Sequence, residues 1–282
     1  MPKRYPVHDS PLYRLKGKGR FELVLGVAWD AVPNLLSSHA YRVWLNDKGR
    51  EIQAPVNWMA KVHERIGKLL SRIELPNYLY SQKWRSYADN AKQHVGAHPV
   101  VKTDIHRFYP STTRAMVMRM FMHDFECAED VAHRLADICC YKQIHLPTGS
   151  PVSGRIAFFA AKHMFDEVAN LASNANCSLT VYVDDITLSG EAANKQLLGG
   201  VRRVIRTHGL KTKHVKSITY AANTPKLITG AIVAKTELRL PNVRHKKIWQ
   251  TRNTLRRSDG AERVKLQRVL RGRLQEAKQI VG

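Results

Sequence analysis

The sequence predicts an α+β fold. Two runs of strand length, residues 99–105 and 179–189, carry carboxylates at an end or at a bend. Around them, apolar residues recur every three or four positions, the spacing of one helix face. Beyond residue 240 the strand pattern stops and a basic, helix-like segment follows. Strands in the middle of a chain with helices gathered around and after them suit an α+β arrangement.

Taken in order, residues 1–40 read as short helices around a basic patch at 14–20 (RLKGKGR). Tyr41-Arg-Val-Trp-Leu is a strand, Asn46-Asp-Lys-Gly49 a turn, and Glu51-Ile52 the returning strand, which Pro55 ends. Asn, Asp and Gly tolerate the left-handed backbone that tight turns require. Val62, Ile66, Leu69, Leu70 and Ile73 line one side of a helix. Residues 99–105 form a strand, and 112–125 and 128–141 two helices in which Met116, Met118, Met120 and Met122 serve as core filler. A Gly/Pro-rich stretch at 145–151 leads into a helix over about 153–173. Residues 179–189 alternate as a hairpin with Asp184 and Asp185 at its bend, and a helix over 191–208 stops at Gly209. Ser258-Asp-Gly260 splits the C-terminal segment into two helices; in the second, Leu266, Leu270, Leu274, Ala277 and Val281 give an apolar face, with Lys265, Arg268, Arg271 and Lys278 on the others.

The chain of 282 residues has 46 Lys and Arg against 23 Asp and Glu, a formal charge of +23. That excess repels itself in a compact fold and points to an anionic partner, nucleic acid above all. With 44% hydrophobic and 24% charged residues the chain is a folding one, not a disordered basic tail. Its length suits one large domain or two to three packed subdomains. The start, MPKRYPVHDS, lacks the apolar core of a signal peptide. No run approaches the roughly 18 apolar residues of a membrane span. A cytoplasmic protein without a membrane partner is expected. Cys127, Cys139, Cys140 and Cys177 form no C-x-x-C pair, and buried reduced thiols are the expectation for them.

The chemistry lies in the scarce sign. If the strand ending at Asp104 pairs with the hairpin bearing Asp184 and Asp185, three carboxylates converge, since adjacent strands lie about 5 Å apart. Clustered carboxylates repel one another unless a cation neutralises them. Mg²⁺ suits such hard oxygen ligands and keeps positions for substrate phosphates. Two ions, with Mn²⁺ as a possible substitute, can activate a sugar hydroxyl and stabilise a leaving pyrophosphate. In a basic chain that pattern predicts nucleotidyl transfer. An Asp-Asp pair by itself is more commonly a turn.

The residues around these carboxylates carry a family resemblance. Tyr182-Val-Asp-Asp185 followed by Ile-Thr-Leu-Ser-Gly190 resembles the catalytic hairpin of reverse transcriptases. Asp104-Ile-His-Arg-Phe-Tyr-Pro-Ser111 resembles their first palm motif, Leu146-Pro-Thr-Gly-Ser-Pro-Val-Ser153 the loop entering the palm helix, and Gly209-Leu-Lys-Thr-Lys-His-Val-Lys216 the motif that follows. Arg50-Glu-Ile-Gln-Ala-Pro55 resembles the fingers strand, with Lys48 just before it. All five stand in family order. Asn90-Ala-Lys-Gln-His94 matches the Asn-Ala-x-x-His signature of the retron-type enzymes, and Ile228-Thr-Gly230 resembles their Val-Thr-Gly. The likeness runs from about Pro11 to the end and identifies a bacterial retron-type reverse transcriptase.

The resemblance implies a right-hand polymerase. Residues 1–98 would be the N-terminal segment and fingers, 99–239 the palm with part of the fingers interleaved at about 112–145, and 240–282 a basic helical thumb. Asp104, the Ile105 carbonyl and Asp184 would hold the metal, with Asp185 completing the site. Tyr109 would be the steric gate that crowds a 2′-OH and selects dNTPs. Lys48 and Arg50 would clamp the triphosphate, Arg being shaped for bidentate phosphate contact. Thr148, where the family often has Gln, and Gly149 would lie against the incoming nucleotide and nascent pair; Val152 stands where the family has Thr. Gly154-Arg-Ile-Ala departs from the usual Pro-containing continuation. Lys216 would protonate or neutralise the leaving pyrophosphate. Asn90, His94, Thr229 and Gly230 would shape an RNA-facing surface, or Asn90 would cap a helix. Residues 240–282 hold twelve Lys and Arg against three Asp and Glu. From them Arg244, Lys246, Lys247, Arg252, Arg256 and Arg257 would grip duplex and RNA stems.

Retron enzymes copy part of a cognate structured noncoding RNA into multicopy single-stranded DNA, primed from an RNA 2′-OH, and act in anti-phage defence with a separate effector protein. The resemblance implies these partners here, together with dNTPs and the DNA product. No RNase H, protease, integrase or endonuclease segment is visible, so RNA removal would fall to a host enzyme. Two other readings stay open: another bacterial defence reverse transcriptase, against which the two signatures argue, and a non-catalytic RNA-binding scaffold, against which the intact Asp104, Asp184 and Asp185 argue.

Overall fold

The computed structural model describes residues 4–281. Its helices in chain order are α1 (Lys18–Leu25), α2 (Val32–Leu35), α3 (Asn57–Leu70), α4 (Tyr87–Lys92), α5 (Phe108–Ser111), α6 (Arg114–Arg119), α7 (Glu129–Cys139), α8 (Ser153–Ala160), α9 (Lys162–Asn174), α10 (Lys195–Thr207), α11 (Asn242–Arg256) and α12 (Gly260–Val281). Its strands are β1 (Tyr41–Leu45), β2 (Glu51–Pro55), β3 (Val100–Asp104), β4 (Ser178–Tyr182), β5 (Asp185–Ser189), β6 (Ile218–Tyr220), β7 (Lys226–Ile228), β8 (Ala231–Val233) and β9 (Leu238–Arg239). The chain divides into two units. The first comprises Met1–Pro76, Ile105–Glu167 and Thr207–Leu210; the second comprises Asn77–Asp104, Val168–Arg206 and Lys211–Gly282.

In the first unit β1 and β2 pair antiparallel, Tyr41 opposite Pro55 and Leu45 opposite Glu51. The turn closes as its residues require. Gly49 takes φ +67°, and the Asn46 side-chain oxygen accepts hydrogen bonds from the amides of Lys48 and Arg50, each at 3.0 Å. Helix α3 buries Val62, Ile66, Leu69 and Leu70, as its spacing predicts, and Met59 besides; Ile73 is buried too, but beyond the end of the helix, where it bridges to Tyr5. Burying each such side chain contributes about 1.5–3 kcal/mol. A helix expected over 153–173 breaks instead at Ala161 into α8 and α9. In a straight helix Phe158 and Phe165, seven residues apart, lie about 10.5 Å apart along the axis. Across the break their rings stack with centroids 5.7 Å apart. The helix expected over 112–125 is shorter too. Thr113 caps α6 through the Met116 amide, and the helix ends in a π turn over Met120–Asp124.

In the second unit an antiparallel sheet runs in the order β4-β5-β3-β6, and a smaller one in the order β7-β8-β9. The smaller sheet has strands of two or three residues, too short for a two-residue period to register in sequence. Its Ile228, Ala231, Val233 and Leu238 form a core with Ala88 and Ala91 of α4, Ile248 of α11 and Ile280 of α12. Ser86 caps α4 by a capping box with Asp89. Asn90 therefore sits inside the helix and caps nothing. Helices α11 and α12 separate at the expected break, but the inward line of α12 is Leu270, Ala277 and Ile280, while Leu274 and Val281 are exposed. At about 100° per residue, residues 274 and 281 point about 70° and about 50° away from the mean direction of that line.

All four cysteines are free and buried, and burial pushes the thiols of Cys127 and Cys140 up to about 11 and about 12. Among the described residues no helix is long and apolar enough to cross a membrane.

The first unit also buries a histidine that spacing does not single out. His63 of α3 is 2.7 Å from Ser150 Oγ through Nδ1 and 2.8 Å from the Ile138 carbonyl through Nε2. Burial lowers its pKa to about 4, against the hydrogen bond accepted by the Ile138 carbonyl, which raises it. A folded value below the unfolded value, about 6.5, means the unfolded chain binds the proton first. The stabilisation from neutral His63 is thus complete above about 6.5 and is lost as pH falls towards 4. Moving from pH 7 to pH 5 is expected to cost about 2 kcal/mol at this residue. Thermal melts at both values should show a smaller drop in His63→Gln than in the parent.

Candidate active site

The carboxylates converge because of strand register. Asp104, the last residue of β3, stands opposite Asp185, the first of β5. Directly opposed residues in an antiparallel pair project from one face, and alternate residues along a strand share it. Asp104, Lys102, Asp185, Thr187 and Ser189 therefore occupy one face, with Tyr182 and Thr180 of β4 opposite Asp185 and Thr187. Asp184 lies in the turn beside Val183, whose φ of +59° is rare for a β-branched residue. Such strain concentrates where a backbone is held for a purpose.

Electrostatics report the crowding. Burial pushes the Asp184 carboxyl up to about 6, and the charges of Asp104 and Asp185 add to the shift. Asp185 is raised chiefly by burial, partly offset by Lys216. The Lys216 ammonium donates to Asp104 Oδ2. Burial works to lower the pKa of Lys216, but that hydrogen bond and the three carboxylate charges leave it raised. The Lys213 amide donates to the Asp104 carbonyl at 2.8 Å, which brings the short 3-10 turn His214–Lys216 to the end of β3. Lys102, not anticipated from sequence, is two residues before Asp104. Its Nζ donates to the Leu227 carbonyl at 2.7 Å, and burial lowers its pKa against the pull of Asp185. The signal for it was the strand period, which puts residues 102 and 104 on one face.

Among the described residues no three His, Cys, Asp or Glu side chains stand as a formed metal cage; Asp104 faces Lys216 instead. The donor set nonetheless fits a hard divalent cation. Its ligands are carboxylates, and their mutual repulsion, visible in the raised Asp184, is what such a cation relieves.

The residues expected to hold the nucleotide belong to the first unit. Lys48 and Arg50 are exposed at the β1–β2 turn. Tyr109, on α5, is half-buried and stacks on Phe108 with centroids 6.1 Å apart. A Cβ on Gly154 would lie 3.3 Å from the Tyr109 hydroxyl, so a glycine after Ser153 leaves that ring its place. The Thr148 amide donates to Gln53 Oε1 at 2.9 Å and the Gly149 amide to the Gln53 carbonyl at 3.1 Å. The close approach that Gly149 permits is therefore to β2, since a Cβ there would meet Ile52 Cγ2 at 2.8 Å and the Gln53 carbonyl at 2.9 Å. Ile105, next after Asp104, is buried.

The two short signatures meet within the second unit, where Ile228 is buried and Thr229 and Gly230 are half-buried. Asn90 and His94 are 1% and 2% exposed, so they cannot form the RNA-facing surface expected of them. The Asn90 amide points to Thr229 Oγ1 at 3.5 Å, and Thr229 donates to the Tyr87 carbonyl at 2.8 Å. Gly230 takes φ +86°, and a Cβ on it would lie 2.7 Å from an Arg244 nitrogen. Arg244 is turned inward as well. It pairs with Glu276 of α12, donates to the Tyr87 hydroxyl at 3.2 Å and lies 5.3 Å above that ring. Lys246, Lys247, Arg252, Arg256 and Arg257 remain exposed, with no acidic partner among the described residues.

Apo telomerase from Candida tropicalis, truncated from its C-terminal domain, superposes with a TM-score of 0.50 at 11% identity, over 71% of this chain and 54% of that one. At that identity the likeness is one of fold, and the fold is that of the reverse-transcriptase polymerases. In sequence the chain is similar to retron reverse transcriptases. It is 26% identical over 201 residues to Retron Ec86 reverse transcriptase of Escherichia coli, covering 71% of this chain and 61% of the relative. It is 27% identical over 232 residues to Retron Ec48 reverse transcriptase of Escherichia coli, covering 77% and 55%. The chain thus spans little more than half the length of these curated relatives. No protein-family model matches it.

Gly149→Ala is expected to destabilise the protein by about 1–3 kcal/mol through overpacking against β2. A lowered melting temperature without added nucleotide would register it.

Proposed function

We propose that the chain is an RNA-directed DNA polymerase. The observation that carries this reading is the register that sets Asp104 opposite Asp185, with Asp184 held at the adjoining turn. Asp104, Asp184, Asp185 and the Ile105 carbonyl would hold two Mg²⁺ ions. Bound there, the metal supplies charge neutralisation, activation of a 3′-hydroxyl and stabilisation of the leaving oxygen. Lys216 holds a proton at Nζ against Asp104 and would offer it, or its charge, to the departing pyrophosphate. Lys48 and Arg50 would contact the triphosphate, Thr148 and Gly149 would border the nucleotide, and Tyr109 would crowd a ribose 2′-OH.

The likeness to retron enzymes supports the finer reading. The template would be a cognate structured RNA, primed from one of its own 2′-hydroxyls and copied into multicopy single-stranded DNA. An anti-phage role with a separate effector protein would follow, in the cytoplasm. The palm would take in residues 99–239 and the thumb 240–282. The outward cations of α11 would then hold phosphates of duplex and RNA stems, a sequence-independent grip.

Asp184→Asn with Asp185→Asn is expected to abolish dNTP incorporation on a primed RNA template while RNA affinity stays within about twofold, since substitutions distant from the grip act independently of it. Full polymerase activity in that variant would sink the assignment. Replacing Arg256 and Arg257 by Gln should flatten the plot of log affinity for RNA against log salt by up to about two units. An unchanged slope would put the grip elsewhere.

A further inference from the structure

Tyr87, Asn90 and His94 are spaced by three and four residues, which sets them along one side of α4 and its C-terminal extension. The first two hold the turn at Thr229 and Gly230 and the base of α11, as described above. His94 reaches the other way. Its Nδ1 is 2.8 Å from Ser189 Oγ of β5, and its Nε2 is 2.7 Å from Thr180 Oγ1 of β4. One imidazole thus bonds both strands of the hairpin whose turn carries Asp184.

The contact falls on a particular face. Residues 185, 187 and 189 alternate along β5, so Ser189 projects to the same side as Asp185, and Thr180 opposes Thr187 on that side. From Asp185 to Ser189 is about 13 Å at 3.3 Å per residue. His94 therefore grips the carboxylate face at the end of the hairpin remote from the charges. A neutral imidazole has one donor and one acceptor, and hydroxyl groups rotate to match either. Burial, which holds His94 neutral with a pKa of about 3, is consistent with that arrangement.

The hairpin has reason to need such a clamp. Val183 is held in the left-handed region, and Asp184 and Asp185 repel each other and Asp104. Strain and repulsion at a two-residue turn are released by splaying its strands. A link across the open end resists that without adding charge to the carboxylate face.

We propose that His94 is a positioning residue, fixing the β4–β5 hairpin so that Asp184 and Asp185 stand correctly against Asp104. This rests on the polymerase reading of those carboxylates. The test uses the full chain with four variants, His94→Ala, His94→Gln, Thr180→Val with Ser189→Ala, and all three sites combined. Each is measured by amide exchange across residues 181–186, by melting temperature, and by kcat and KM for dNTP on a primed RNA template. In His94→Ala, kcat per folded molecule should fall about 10- to 100-fold, the scale for residues that orient catalytic ligands, with KM held within about twofold. Exchange at 181–186 should quicken at least about tenfold, as local opening becomes easier. His94→Gln should recover part of both. The hydroxyl double variant should match His94→Ala, and combining them should cost no more, because one set of contacts is being removed. Unchanged exchange at 181–186, or a lower melting temperature with kcat per folded molecule intact, would overturn the proposal. Absence of dNTP incorporation by the parent protein would defeat the polymerase reading instead, and the exchange measurement would still decide whether His94 holds the hairpin.

Discussion

Two carboxylates on one sheet face, with a third at the adjoining turn, set the terms for the second unit. Like charges at this distance oppose folding unless backbone and neighbours insist on it. The insistence comes from register. The ladder from Val100–Ser189 to Asp104–Asp185 fixes which face each side chain takes. A slip of one residue in β5 would turn Ile186 and Leu188 onto the carboxylate face and push Asp185 into the apolar side with Val101 and Val181, all now buried. The apolar alternation of β5 therefore holds its charge in place, and hydrophobic burial is what the repulsion must overcome. Lys216 and Lys102 then temper the site from the edge. One bonds Asp104 and the other, its Nζ held on a backbone carbonyl, adds only its field.

Both units use a neutral buried histidine where a charged tie would be costly. His63 is bonded through both nitrogens, to Ser150 in the loop that precedes α8 and to the end of α7. His94 is bonded through both to β4 and β5. A Lys or Arg in either place would bring an ion into the interior, at a cost of several kcal/mol before pairing. Imidazole supplies two directional bonds without that cost, and the burial that depresses its pKa keeps it so. In a chain with 46 Lys and Arg, these two interior links are made by groups that carry no charge.

Local structure was legible wherever turn chemistry or periodicity acts over a few residues. Asn46 to Gly49 specified the first hairpin, and the alternation over 179–189 specified the second. The pairing of β3 with β5 was legible only through its chemical consequence, that Asp104 would need company. Features that depend on distant partners were not readable. Nothing near Gly149 in sequence discloses Gln53, and nothing near Asn90 discloses Thr229, 139 residues on. Ile280 escaped because the residues at 274 and 281 are as apolar as those that face the core, and a composition of faces cannot choose between stripes that overlap on one side of a helix.

Arg244 illustrates the same limit on the reading of charge. By type and position it is one more cation of a basic helix. Inside the fold it is a strut, joined to Glu276 of α12 and to Tyr87 of α4, and Gly230 is small where it passes. Arg273 likewise spends its guanidinium on the Lys247 carbonyl. A net charge counts these residues equally with Arg256 or Lys246, yet an anion meets only the cations that face solvent. Among the described residues the outward set on α11 makes no ion pair with an acidic side chain, so no such pair competes for it. The basic excess is therefore divided by geometry into cations that hold the C-terminal helices to the second unit and cations left free to meet phosphate. The carboxylate face lies on a separate sheet of that unit, where Asp104 stands opposite Asp185.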